Sequence, residues 1–342
     1  MNRILSSKAP ALLAAVVCCT ITLGWPGRAT AQAAASGPVE IIVPWGTGGG
    51  ADQLARETAK LLQRALDTPA KVTNIPGRTG NAAMQKFLAS PSDGRLLSVL
   101  TAETYCLLAY ANPGWKPADV VPLAIMVRQP SAFFLPTSAR FKSWSDFEKE
   151  ARQKPRSLRV AISGLGSPDY LVLQQLSLKG VQLIPVPFEN PEQRFQAVLN
   201  GQADALYEQP ADVAALVQKQ QLQPVLFLAS ARIPAFKDVP VSSELGYGNG
   251  LPQFRAIVVK VGTDPHRVKA LSEALDRIAE TPEYKAFLKD QLATDGSYIP
   301  AKSAPAFLQQ AYKEMKQTVD TLPLHAQYIW EVQSVTEYIE PF

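Results

Sequence analysis

Apolar residues in this chain recur in two rhythms, short runs that read as buried strands and longer stretches with helical spacing. Val39-Glu40-Ile41-Ile42-Val43 is the first run, and after it Leu54, Leu61, Leu62 and Leu66 fall on one face of a helix. Residues 70–74 read as a second strand, 81–89 as a second helix, and 96–100 as a third strand after the turn Ser92-Asp93-Gly94. Strand and helix alternating at this spacing predict a parallel sheet with helices on its faces.

The rhythm restarts at Ser131-Ala132-Phe133-Phe134-Leu135. A helix start follows in 141–147, capped by Ser143 or Ser145. Then come strand 158–162, loop 163–169, helix 170–178, strand 182–185, helix 192–200, strand 203–207, helix 211–220 and strand 224–228. The chain returns through Phe254-Arg255-Ala256-Ile257-Val258-Val259, with helices over 265–279, 282–290 and 304–320. Two crossings between two α/β units predict a clamshell whose cleft closes on a small molecule.

Ligands of such sheets sit beyond the carboxyl ends of the strands. Three loops leave those ends in the first unit, 45–50, 75–80 and 101–105, and two are rich in glycine. The stretch Pro44-Trp45-Gly46-Thr47-Gly48-Gly49-Gly50-Ala51-Asp52 joins a strand to a helix whose first amides are unpaired and carry partial positive charge. That favours a carboxylate or a phosphate; a tight turn that binds nothing is the plainer reading. A nucleotide triphosphate fits poorly, because Asp52 lies where a phosphate loop needs lysine. The spacing of Gly46, Gly48 and Gly49 is not that of a dinucleotide fingerprint.

Composition narrows the setting. Arg3 and Lys8, the apolar stretch 11–23 and Ala29-Thr30-Ala31 read as an export signal cleaved near Ala31, which predicts a soluble periplasmic product. The net charge of +4 rests on 34 basic and 30 acidic residues, and loss of residues 1–31 takes Arg3, Lys8, Arg28 and no acid. The remainder is nearly neutral and has no basic run interleaved with aromatics, so nucleic acid is not an expected partner. Cys106 is the one cysteine beyond the signal, which excludes an internal disulfide and suits a packed small hydrophobe. His266 and His325 lack metal spacing, and no Gly-x-Ser-x-Gly elbow occurs, so no catalytic residue, metal or cofactor is expected.

On its motifs the chain resembles the substrate-binding proteins of tripartite tricarboxylate transporters, the TctC-like or Bug-type receptors. That family's Pro-aromatic-x-x-Gly-Gly-Gly-x-Asp matches residues 44–52, and its Asn-x-Pro-Gly-x-x-Gly-Asn loop resembles Asn74-Ile75-Pro76-Gly77-Arg78-Thr79-Gly80-Asn81. Pro91-Ser92-Asp93-Gly94 matches a Pro-Asp-Gly turn with one residue inserted. Ser163-Gly164-Leu165-Gly166-Ser167, Val186-Pro187-Phe188, Gly201-Gln202-Ala203-Asp204 and Asp238-Val239-Pro240 follow in the family's order.

The resemblance implies a two-lobed type II periplasmic binding fold of the Venus-flytrap kind, with two parallel-rich sheets and two crossover strands. It implies lobe 1 over 38–132 plus 255–322, lobe 2 over 133–254, and a C-terminal extension, 323–342, packing on lobe 1. A small carboxylate ligand and the membrane subunits of a transporter are the implied partners, for a receptor expected to be monomeric. The alternatives are a receptor serving a membrane sensor kinase and a secreted enzyme.

The implied site takes Trp45, Thr47, Gly48, Gly49, Arg78, Thr79, Gly80, Glu103 and Thr104 from the first lobe. Ser163, Gly166, Ser167, Asp169 and Tyr207 face them from the second. Backbone amides at Thr47, Gly48, Gly49, Thr79 and Gly80 are the expected donors, helped by ordered water. Arg78, Glu103, Tyr105 and Tyr207-Glu208 depart from the common pattern. A cleft holding Arg78 and Glu103 suits a zwitterion or polar carboxylate, whereas the plainer reading pairs them or turns them to solvent. Trp45 and Tyr170 either stack on an aromatic ligand or line the lobe edge.

Overall fold

The computed structural model describes residues 38–293 and 296–323, so the expected export signal and the extension from residue 324 on lie outside the described residues. The chain forms a mixed α/β structure built on two sheets. The first holds β1 (Val39–Val43), β2 (Ala70–Asn74), β3 (Leu96–Thr101), β4 (Val120–Arg128), β10 (Phe254–Lys260) and β11 (Ile299–Pro300), in the order β11-β4-β10-β3-β1-β2. The second holds β5 (Ser131–Pro136), β6 (Arg159–Ile162), β7 (Ile184–Pro187), β8 (Ala205–Glu208) and β9 (Leu222–Leu228), in the order β7-β6-β8-β5-β9.

In each sheet one half is parallel and the other antiparallel. β1 runs parallel to β2 and β3, while β10 runs antiparallel to β3 and β4 with Arg255 opposite Thr101. β6 runs parallel to β7 and β8, and β5 antiparallel to β8 and β9. The chain thus leaves the first sheet after β4 and re-enters it at β10.

The continuous apolar runs arise because both faces of each sheet are covered. On β1, Val39, Ile41 and Val43 enter one core, with helix α1 (Gly50–Leu66) supplying Leu54, Leu61 and Leu62. Ile42 enters the opposite core with Met84 and Phe87 of α2 (Asn81–Ala89), Tyr105 of α3 (Ala102–Tyr110) and Met315 of α10 (Ala304–Thr321). In the second sheet Phe133 and Leu135 pack with Trp144 and Phe147 of α4 (Trp144–Gln153), and Ala132 and Phe134 pack on the other face with Val198 of α6 (Pro191–Leu199). Each buried valine, leucine, isoleucine, phenylalanine or methionine among them contributes about 1.5–3 kcal/mol. Cys106 is buried in α3.

Two expectations change, and one strand, β4, had no sequence expectation. Residues 101–105 are not a loop: the Thr101 hydroxyl accepts from Thr104 N at 3.4 Å and starts α3 at Ala102. Residues 211–220 split into a 3₁₀ turn, Pro210–Val213, and the short α7 (Ala214–Gln218). β4 carries Pro122, which demotes an apolar run as a strand. Its ladder with β10 shifts register beside that proline, between Ile257 and Val258.

The glycine-rich loop before α1 is set by its own aspartate. Asp52 accepts from Gly48 N at 3.0 Å, from Arg56 Nε and Nη2 at 2.9 Å each, and from Asn74 Nδ2 at 2.9 Å. Burial alone would raise its pKa; the hydrogen bonds from Arg56, Gly48 and Asn74 outweigh it and leave the carboxyl below its ordinary 3.8. Asp52→Ala is therefore expected to lower unfolding free energy by about 1–3 kcal/mol at pH 7. Because the folded-state pKa is depressed, this contribution is present above 3.8 and fades as pH falls through the folded value. Denaturant titrations at pH 7 and pH 3 check this: a gap between the two proteins that did not narrow in acid would count against it.

Candidate functional site

The carboxyl ends of β1 and β3 face those of β6 and β8 across a cavity of about 30 Å³, room for one or two waters. Trp45, Gly50, Glu103 and Arg255 wall it from the first sheet's side, and Ser163, Arg194, Glu208 and Asp212 from the second's. Backbone approaches side chain closely here. A Cβ on Gly49 would lie 2.7 Å from Pro191 Cγ, and one on Gly164 would lie 2.6 Å from Thr79 Oγ1. At Gly50 it would lie 2.1 Å from Asp212 Oδ1 and 2.3 Å from Arg255 Cζ.

A charged network joins the two sides. Arg255, 6 % exposed, donates from Nη2 to Asp212 Oδ2 at 2.6 Å and Gln209 Oε1 at 3.2 Å, and from Nη1 to Gln291 Oε1 at 3.3 Å. Asp212 Oδ2 also accepts from Gly50 N at 3.0 Å. The first amide of α1 therefore holds a carboxylate of the chain itself. Arg194, 5 % exposed, pairs with Glu208 through Nε at 3.1 Å and through Nη2, and its Nη1 donates to Phe188 O at 2.9 Å. Buried charges need such complete partnering, since desolvation costs several kcal/mol per ion.

The second glycine loop is engaged in the same way. Thr79 N donates to Glu189 Oε1 at 2.6 Å, and Thr79 Oγ1 donates to Leu165 O at 3.2 Å. Asp169, at the start of α5 (Pro168–Leu178), accepts from Ser163 N at 3.0 Å and Ser163 Oγ at 2.5 Å.

Burial dominates the titration of these acids. It pushes Asp169 up to about 7, with the nearby charge of Glu103 adding to the effect and Ser163 opposing it. It raises Asp212 to about 6 against the pull of Arg255, and raises Glu103 against the Thr101 hydroxyl and Arg255. Glu189 also rises through burial, opposed by the amides of Thr79 and Arg78.

The expected site residues fall into groups. Trp45, Gly49, Glu103 and Ser163 line the cavity, and Trp45 Nε1 donates to Thr101 Oγ1 at 3.2 Å. Thr79 lies in the second cradle with its amide on Glu189. Thr47 and Gly48 are exposed, and the Gly48 amide serves Asp52. The Gly80 amide closes its own turn on Gly77 O at 3.1 Å. The Arg78 side chain is exposed because its residue occupies the outer bend of that turn at φ +57°. The Thr104 hydroxyl meets that of Thr101 at 3.3 Å. Gly166 turns its loop at φ +84°, and Ser167 caps α5 while donating to Gly164 O at 2.7 Å. Asp169 lies behind Ser163, and Tyr207 is a core residue, edge-on to Phe133 at 5.1 Å. Tyr170 packs partly buried between cores.

Sequence reasoning left out Glu189, Arg194, Gln209, Asp212 and Arg255, and named Glu208 only as a departure from the family pattern. Two signals pointed to some of them. Glu208 to Asp212 leave the carboxyl end of β8, and Arg255 is a charge set between Phe254 and the apolar run Ala256 to Val259 in β10.

Comparison with known proteins agrees with this geometry. The family model described as "Tripartite tricarboxylate transporter family receptor" matches residues 54–324. A Cupriavidus necator protein, "UPF0065 protein in gbd 5'region", is 24 % identical over 316 residues, covering 91 % of this chain and 96 % of its own. MatC of Rhodopseudomonas palustris with bound malate superposes with a TM-score of 0.75 at 22 % identity, over 82 % of this chain and 98 % of MatC. The periplasmic binding protein BugD gives 0.75 at 20 % identity, over 82 % of this chain and 95 % of BugD. The fold is thus that of periplasmic solute-binding proteins. With a match covering most of its length and a closed cleft between two sheets, the chain belongs to the tripartite tricarboxylate transporter receptor family, whose members are substrate-binding receptors and not enzymes.

Proposed function

We propose that this receptor captures a small carboxylate-bearing solute between its lobes in the periplasm and delivers it to the membrane subunits of a tripartite tricarboxylate-type transporter. One observation carries the ligand class: the amides of Gly50 and Thr79, one in each glycine-rich loop, each donate to a carboxylate oxygen. These loops are therefore cradles for carboxylates, as helix starts and bare amides dispose them to be. The malate bound to MatC supports the class. The lobes of this reading are 38–132 plus 255–322 and 133–254, and the start of the chain, 1–31, supplies the export signal.

The cavity is too small for such a solute, so capture requires the lobes to part and re-close. A solute that binds only the folded protein raises its melting temperature by mass action, by about 2.7 kcal/mol of stability at a hundredfold excess over Kd. Thermal-shift assays against malate, other small acids, sugars and amines are expected to show stabilisation by acids alone. Stabilisation by sugars or amines with none by acids would reject the carboxylate reading.

Capture also depends on the bare backbone at Gly50. A Cβ there meets Arg255 Cζ and Nη1 at 2.3 Å and crowds the amide beside them, so Gly50→Val should lower solute affinity by about tenfold or more by obstructing those donors. Calorimetric titration, with circular dichroism to confirm an unchanged fold, would measure it; undiminished affinity would show that the solute does not use them.

Asp169 links the site to pH. Its folded-state value of about 7 lies above the ordinary 3.8, so the folded protein holds this proton more tightly than the unfolded chain does. The resulting stability is complete below about pH 4 and is lost as pH rises to 7. Asp169→Asn, which keeps an acceptor for Ser163 and removes the charge facing Glu103 and Glu208, should be more stable than wild type at pH 8 by on the order of 1 kcal/mol or more. That advantage should disappear at pH 4, and urea denaturation at the two pH values compares them. An equal difference at both would assign the effect to packing.

A further inference from the structure

The two amide cradles that suit a ligand's carboxylates hold carboxylates of the chain. Asp212, in the turn after β8, lies on Gly50 N at 3.0 Å and on Arg255 Nη2 at 2.6 Å. Glu189, in the loop between β7 and α6, lies on Thr79 N at 2.6 Å. Both acids belong to the second sheet's side and both sets of donors to the first's, so every one of these bonds crosses the cleft. The side chain of Asp212 is 4 % exposed, and its Oδ1 has no hydrogen-bond partner although Oδ2 has two. A carboxylate built only to neutralise Arg255 would use both oxygens in a bidentate fork. Here one oxygen serves amide and guanidinium together, as a ligand carboxylate oxygen would.

We propose that Asp212 and Glu189 form an internal carboxylate clasp that draws the second lobe onto the first, and that a solute enters by replacing them on Gly50, Arg255 and Thr79. The displacement half of this rests on the carboxylate reading above; the clasp half does not. The surroundings fit such an exchange. Arg194 and Glu208 are paired with each other and stay in place, so the donors released on opening are Arg255 and the two amides. Pro191, two residues beyond Glu189, seats on Gly49 and carries the same loop into the cleft. The clasp makes the two acids specificity-determining residues: a solute must offer a carboxylate that competes with one already in position.

The test uses the purified chain and two conservative variants, Glu189→Gln and Asp212→Asn. The radius of gyration from small-angle X-ray scattering in buffer, and calorimetric titration with malate and adipate, are measured for all three proteins. Weakening the clasp should enlarge the radius of gyration of both variants. It should also tighten the binding of a fitting dicarboxylate by about tenfold, if one wild-type molecule in ten is open at rest. Glu189→Gln removes no ion-pair partner, so it remains informative should Asp212→Asn fold poorly with Arg255 unpaired. Radii equal to wild type in folded variants would overturn the clasp, and if malate or adipate still bound all three alike, the carboxylate reading would stand without it. Expanded variants that bind neither acid would keep the clasp and count against a dicarboxylate as the solute.

Discussion

A charge buried between two bodies must be matched by both, and in this protein that charge is Arg255. It projects from the strand that brings the chain back to the first sheet, and the acid it meets, Asp212, comes from the second. Neither group could be buried alone, since each would carry a desolvation penalty of several kcal/mol without its partner. Burial of the pair and contact between the two sides are therefore one condition. The Gly50 amide adds a donor at the same oxygen, and a side chain at that position would occupy the space of both charged groups.

Holding that geometry requires a loop that does not yield. Asn74 donates from Nδ2 to Trp45 O at 3.0 Å and to Asp52 at 2.9 Å, so the end of β2 fixes the loop after β1. Trp45 in turn reaches Thr101 at the end of β3. Three neighbouring strand ends are tied by side chains before any solute is considered. The helix behind them is anchored by Leu54, Leu61 and Leu62 in the core, and its first amides point along a fixed direction. Donors set in advance lose little on binding, which is how a few amides hold an anion well.

The parts legible in the sequence were those that depend on neighbours along the chain. The run Val39 to Val43, the helix after it and the glycine-rich turns each follow from local periodicity and backbone freedom. The residues around the cavity depend on where two sheets meet, and no local pattern encodes that. Arg255, Asp212 and Glu189 lie far apart in sequence and acquire roles only from one another. Arg78 follows the plainer of its two readings: the left-handed bend that presents the next amide turns its own side chain outward. Asp52 looked like a lysine's replacement and is the brace that shapes the loop.

Acids outnumber arginines around the cavity, which at first opposes an anionic solute. Arg194 and Arg255 already face Glu208 and Asp212, leaving Glu103 and Asp169 without a cation of their own. Burial raises the pKa of both; the charge of Glu208 adds to it at Glu103, and that of Glu103 adds to it at Asp169, which lies near 7. A protonated carboxyl is a hydrogen-bond donor as well as an acceptor. Glu103 lines the cavity beside the first cradle, so in its protonated form it adds a donor to a wall otherwise supplied by amides and guanidinium. The acid-rich lining and a carboxylate ligand are thus compatible for the same reason that makes the lining costly: burial shifts these acids toward their protonated, uncharged forms.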